Sequence, residues 1–257
     1  MMASPRTITP TPAAENPMIL RSLFATWSTG LQELILPSTC LLCGARSVTG
    51  QDLCPGCAAD LPRNADACTH CALPLPAGQA GLCPCCQSHP PSFDRAFVPF
   101  RYQHPVDFLI RELKFHGRLT HARLLGEQFA AALAERAAPP PDCIVPVPLH
   151  PRRLRERGFN QALELARIVA RRSRIPLLAS GLRRVRHTLP QTRLDARQRQ
   201  TNPLGAFALG APLSGSHVAL MDDVITTAST VAECARVLRA GGAADIEIWA
   251  IGRAADT

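Results

Sequence analysis

Eight cysteines in four C-x-x-C pairs, Cys40/Cys43, Cys54/Cys57, Cys68/Cys71 and Cys83/Cys86, crowd the first third of the chain. Two thiolates three positions apart fit one tight turn and meet a zinc ion from the same side; a second such turn completes a tetrahedral site. Ten residues separate the first two pairs and eleven the next two. Sequential pairing gives sites at 40/43/54/57 and 68/71/83/86, and crossed pairing stays open. Gly44 follows the first pair, where a backbone turn with positive φ is common. Cys85 reads as a spare. A closed four-cysteine site leaves no position for a substrate, so the two expected zinc ions are structural and substitute for a hydrophobic core. Residues 40–86 contain only Arg46 and Arg63 as strong cations, so nothing in them demands contact with nucleic acid.

A second constellation runs from Val218 to Thr230: an apolar stretch, the acids Asp222 and Asp223, then Thr226, Thr227, Ala228, Ser229 and Thr230. The end of a parallel strand is where open sheets place ligands. A run of small hydroxyl residues entering a helix lets backbone N–H groups and side chains surround a phosphate, where the helix dipole favours an anion. Two carboxylates beside that turn can accept from a ribose diol directly or through Mg²⁺. A helix cap needs one hydroxyl; four in five residues behind an acidic pair exceed it.

The cations are placed to suit an anion. From Arg152 to Arg199 there are fourteen arginines against Glu156, Glu164 and Asp195, an excess of eleven in a chain whose net charge is +8. Such a block attracts phosphates, nucleic acid or an acidic partner. Lys114 is the sole lysine, and it either meets phosphate or lies on a helix surface. No nucleophile stands out: His116, His121, His150 and His187 are scattered, and Cys143 opens an apolar strand and reads as core. Aromatics make up only 5% of the chain, which argues against a base-stacking platform.

These groups need elements to hold them. Residues 1–17 read as a disordered tail and 18–36 as an amphipathic helix that docks on the body; 37–91 is the cysteine module, and 92–257 is an α/β domain. Its expected elements are a strand or hairpin over 93–102, helices over 106–115 and 122–136, and a strand over 143–149. A helix over 162–172 and a short strand over 182–185 follow. A long mobile loop over 189–202 precedes a strand over 217–221, a helix over 231–239 and a strand over 245–252. Alternating strands and helices point to a parallel sheet flanked by helices. No run of 18 uncharged apolar residues exists, so no transmembrane helix is expected. Eleven cysteines without an export signal favour metal over disulfides and the cytoplasm over export.

The segment Met221 to Thr230 resembles the phosphoribosyl pyrophosphate (PRPP) signature of type I phosphoribosyltransferases, and the chain from about residue 34 onward resembles the ComF family, competence-related proteins linked to DNA uptake. The resemblance rests on the cysteine ribbons, Leu113-Lys114-Phe115-His116-Gly117, the Pro-x-Pro strand end within Val145 to Leu149, Arg157-Gly158-Phe159-Asn160-Gln161, and Gln191, Arg197, Asn202 and Phe207. It implies a type I phosphoribosyltransferase-like sheet and binding of PRPP with Mg²⁺ at Asp222, Asp223 and residues 226–230. It also implies a pyrophosphate loop over 148–160 offering Arg152, Arg153, Arg155 and Arg157, and a closing loop over 187–202 carrying Arg193, Arg197 and Arg199. Ala228 stands where the signature usually has Gly, and its Cβ narrows the phosphate's approach or opposes a positive φ. Three roles follow: Mg²⁺-dependent phosphoribosyl transfer to an acceptor, handling of single-stranded DNA or a nucleotide-like ligand beside the DNA-uptake machinery, or a zinc-organised adaptor.

Overall fold

The computed structural model describes residues 39–47, 52–187 and 202–255. The expected tail and amphipathic helix, and Arg193, Arg197 and Arg199, lie outside the described residues. In chain order the elements are α1 (Pro55–Ala59), α2 (Pro84–Ser88), β1 (Arg95–Phe97), β2 (Phe100–Arg101), α3 (Val106–His116), α4 (Leu119–Ala134) and β3 (Cys143–Pro146). Then come α5 (Pro151–Arg157), α6 (Gln161–Ser173), β4 (Leu182–Arg184), β5 (Phe207–Leu209), β6 (His217–Ile225), α7 (Ser229–Ala240) and β7 (Asp245–Arg253).

β6 and β7 form the centre of an all-parallel sheet in the order β1–β7–β6–β3, with β2 also paired to β7. Buried on both faces, these two strands read as nearly continuous apolar runs. Their alternation divides the core. Ala219, Met221, Trp249 and Ile251 pack with α3, α4 and α6, whereas Val218, Leu220, Ile246, Ile248 and Ala250 pack with α7. The cysteine module contributes to both: Cys40, Leu53 and Leu61 join the first core, and Cys68, Cys71, Cys83 and Cys86 join the second. The parallel sheet with flanking helices and the preceding cysteine module are therefore as expected.

The helices bury the residues their periodicity predicts. In α3, Val106, Leu109, Ile110 and Leu113 recur at helical spacing and are all buried, and Gly117 at φ 64 ends the helix. In α6, Ala162, Leu165, Ala166 and Val169 do the same. Gly126 lets α4 approach α6 closely; a Cβ there would lie 2.8 Å from Ile168 Cγ2.

Three expectations change. The 93–102 stretch is two short strands, both parallel to β7, and not a hairpin; Pro99 between them has no N–H to give a ladder. The 148–160 stretch contains α5, because Pro151 suits the first helical position and the His150 ring accepts from the Arg152 N–H at 3.2 Å. The 217–221 strand runs on to Ile225, since β7 pairs alongside it as far as Arg253, so Asp222 and Asp223 stand within the strand and not after it. The short strand near 182 pairs antiparallel with β5, in a ribbon separate from the main sheet.

Candidate anion-binding site and metal centres

The expected phosphate turn lies at the C-terminal end of β6. Residues 226–228 bend away from the strand, and Ser229 opens α7. Ala228 occupies the cap position with φ 59, and its methyl side chain accepts nothing from the helix N–H groups. A left-handed conformation that favours Gly is thus adopted by Ala, at a cost of roughly 1–2 kcal/mol. The start of α7 borders an open hollow lined by Asp222 and residues 224–231. The Thr227 and Ser229 hydroxyls hydrogen-bond each other at 2.9 Å on its rim. No acid lies in the first turn of α7, so that turn adds no negative charge against the helix dipole.

The two acids have different surroundings. Asp223, 3% exposed, is ion-paired with Lys114 from α3, the sole lysine. Asp222 lines the hollow and accepts the Asp223 N–H at 2.8 Å. Enclosure raises the Asp222 carboxyl well above the usual carboxylate range, and the neighbouring Asp223 carboxylate, which also hydrogen-bonds to it, adds to the rise. Lys114 pairs with Asp223, and its charge opposes the rise at Asp222. Asp222 also faces Cys234 on α7, whose thiol is pushed up first by burial and then by that acid. Magnesium binds through one or two carboxylates and ligand phosphates; Asp222 beside the turn hydroxyls fits that habit.

The arginines divide. Burial lowers the pKa of Arg157, as does the adjacent Arg153, while Asp223 opposes them; its Nη1 donates to Gln161 Oε1 at 2.6 Å. Gly158, at φ 84, turns the chain from α5 into α6 behind it. Arg157 therefore lies within electrostatic reach of Asp223 with Arg153 beside it, whereas Arg152 pairs with Glu156 at 3.2 Å on the exposed side of α5. Arg184 was not singled out from the sequence. Burial lowers its pKa too, and it feels Cys234, Arg153 and Asp222 while lying over the Phe207 ring at 5.2 Å. Its one signal was membership of the arginine block. The flanks of the undescribed 188–201 stretch are tied to the site: the His187 ring packs on His150 at 5.1 Å, and Gly205 donates to buried Glu233 of α7 at 2.8 Å.

The cysteines form two sequential groups, Cys40/Cys43/Cys54/Cys57 and Cys68/Cys71/Cys83/Cys86, with the ligand atoms of each within 4.8 Å of one another. Cys43 and Cys54 sulfurs are 3.7 Å apart, as are those of Cys71 and Cys83. That is the edge of a tetrahedron whose centre lies about 2.3 Å from each sulfur, the zinc–thiolate distance. Backbone donors prepare thiolates. Burial opposes ionisation of Cys40, but N–H groups of Cys54, Cys43 and Leu42 bring its pKa down to about 6. Those of Cys71, Cys83 and His70 likewise bring buried Cys68 down to about 7. Cys54 and Cys83 also cap α1 and α2. Cys85 is exposed and outside both groups.

Residues 31–88 match the double zinc ribbon domain family. The chain is 37% identical over 220 residues to the DNA utilization protein YhgH of Salmonella typhi, covering 83% of this chain and 89% of that protein. It is 34% identical over 223 residues to competence protein F of Haemophilus influenzae, covering 84% and 96%. Purine phosphoribosyltransferase from Pyrococcus horikoshii overlaps 51% of this chain and 82% of its own at 18% identity and a TM-score of 0.32, too slight a likeness to argue from. Among the described residues, no helix is long and apolar enough to cross a membrane.

Proposed function

The chain belongs to the family of competence protein F and YhgH, and on that premise we propose that it binds the phosphate of a ribosyl phosphate, PRPP or a nucleotide-like relative, in the service of DNA uptake. The observation that carries this reading is the start of α7 opening into the Asp222-lined hollow. Backbone donors of residues 226–230 take the 5′-phosphate, and Asp222 takes a ribose hydroxyl or Mg²⁺. Lys114, Arg153 and Arg157 hold the pyrophosphate side. Phosphoribosyl transfer breaks the bond from C1′ to pyrophosphate and joins C1′ to an acceptor that loses a proton. It calls on no protein nucleophile, only on a positioned ribose and a stabilised leaving group. The same cations suit the phosphates of single-stranded DNA.

Calorimetric titration of the zinc-loaded protein with PRPP and Mg²⁺ tests the reading. Saturable one-site binding is expected, weakened at least tenfold by Asp222→Ala. Binding to the wild type that Asp222→Ala leaves intact would overturn the site assignment. Parallel titration with single-stranded DNA at two salt concentrations separates the roles, because phosphate contacts weaken steeply with salt.

A further inference from the structure

The phosphate turn is braced by an arginine that no motif singled out. Arg253 ends β7 directly opposite Ile225 and is only 4% exposed. Its Nη1 donates to the carbonyls of Thr226 at 2.6 Å, Ile225 at 3.3 Å and Ala254 at 2.7 Å. Its Nε donates to the carbonyl of Cys71 at 3.1 Å. One planar cation therefore joins the first residue of the phosphate turn to a ligand of the second cysteine group. The fork of the guanidinium matters, since it serves two backbone segments at fixed angles.

The charge of Arg253 makes this contact more than a strut. A buried cation is costly without a countercharge, and among the described residues Arg253 forms no ion pair with a carboxylate. What its Nε holds is the backbone carbonyl of Cys71, one of four cysteines whose ligand atoms lie within 4.8 Å of one another. A zinc ion with four thiolates carries a net charge of about −2. A loaded ribbon fixes the Cys71 carbonyl that Arg253 holds and places that charge beside the guanidinium, and an empty ribbon does neither.

We infer that zinc in the second ribbon and the sugar phosphate are coupled ligands, with Arg253 as the positioning residue between them. This rests on the sugar-phosphate reading for the ligand, though not for the brace. By reciprocity, zinc raises ligand affinity and the ligand raises zinc affinity by the same factor, which slower zinc release reads out. The first ribbon has no such link to the turn among the described contacts and is the internal control.

Zinc release from the full chain into a chromogenic chelator tests the coupling, with and without PRPP and Mg²⁺. Two release phases are expected, and PRPP slows one of them by about fivefold or more while leaving the other unchanged. In Arg253→Met neither phase responds to PRPP; Arg253→Lys, which keeps the charge but not the fork, recovers part of the response. Hydrogen exchange of the 226–230 amides gives a ligand-free readout: stripping zinc from the wild type speeds their exchange. PRPP that binds but slows neither phase, or an Arg253→Met protein that responds like wild type, overturns the inference. If PRPP does not bind, the sugar-phosphate reading falls by itself, and exchange decides the brace: unchanged exchange on zinc loss overturns it. If Arg253→Met does not fold, the same wild-type comparison decides.

Discussion

The two cysteine groups share a signature and differ in what they hold up. In the first, Cys40 is buried, Cys54 and Cys57 are half-buried and Cys43 is exposed. Its ties to the body include a surface fork from Arg123 to Asp52 at 2.7 and 2.8 Å. In the second, all four cysteines are buried in the core beneath α7. Asn64 bridges the carbonyls of Ala72 and Val98 at 2.9 and 3.2 Å, and Arg253 reaches the phosphate turn. Ligand spacing announces zinc, and the surroundings of the ligands decide whether that zinc steadies a surface knuckle or the functional core.

The largest test of this contrast removes one ligand from each group. Cys86→Ser opens a buried site inside the core of the α/β domain and is expected to cost on the order of 4 kcal/mol, as losses of structural metal do. Cys43→Ser, at an exposed position, is expected to cost about half that. Thermal melts with zinc counted in each variant check the order. Equal losses would break the comparison.

The acidic pair follows the same division of the sheet, at smaller amplitude. Asp223 belongs with Lys114 on the α3 side, and Asp222 with Cys234 on the α7 side. Because the folded-state pKa of Asp222 is raised, its proton stabilises the fold fully below the unfolded carboxylate value. That stability is lost as pH rises through the folded value. Asn stays neutral throughout. The melting temperature of ligand-free Asp222→Asn should therefore gain on wild type as pH rises, by about 2–4 °C for each kcal/mol. Asp223→Asn should lose stability at neutral pH, because it strands the half-buried Lys114. A gap between Asp222→Asn and wild type that shrinks with rising pH would show the proton placed wrongly.

What was legible in the sequence was local. The C-x-x-C pairs, the hydroxyl-rich turn and the helical stripe of α3 each declare themselves within a dozen residues, since their ligands, donors and apolar contacts are near neighbours. What was missed needed distant partners. The extension of β6 through its acids depends on β7 pairing alongside. Lys114 meets Asp223 only when α3 packs beside the sheet's end. Arg253 meets Cys71 across most of the chain, and Arg184, on β4, comes within electrostatic reach of Cys234 and Asp222 only in the folded chain. α5 was local yet was overlooked: four arginines and a proline read as a loop, although Pro151 sits where helices begin.

The finest difference between the ribbons lies one residue past each leading pair. Gly44 has φ 74 and Ala72 has φ 56, so both knuckles turn through the left-handed region, and each residue donates its N–H back to the first cysteine, at 2.9 Å. A Cβ at Gly44 meets nothing within 4 Å. Gly44→Ala therefore pays only the backbone strain, roughly 1–2 kcal/mol, offset by about 0.4–1 kcal/mol from a stiffer unfolded chain; a net loss of about 0.5–1 kcal/mol is expected. Ala72 is 4% exposed. Ala72→Gly relieves the same strain but gives up a buried methyl worth about 0.8 kcal/mol and loosens the unfolded chain, so its net effect should be close to zero. Denaturant midpoints for the two variants measure this directly. A clear gain from Ala72→Gly would mean that the second knuckle carries strain its packing does not offset, and that burial is not what separates the two sites.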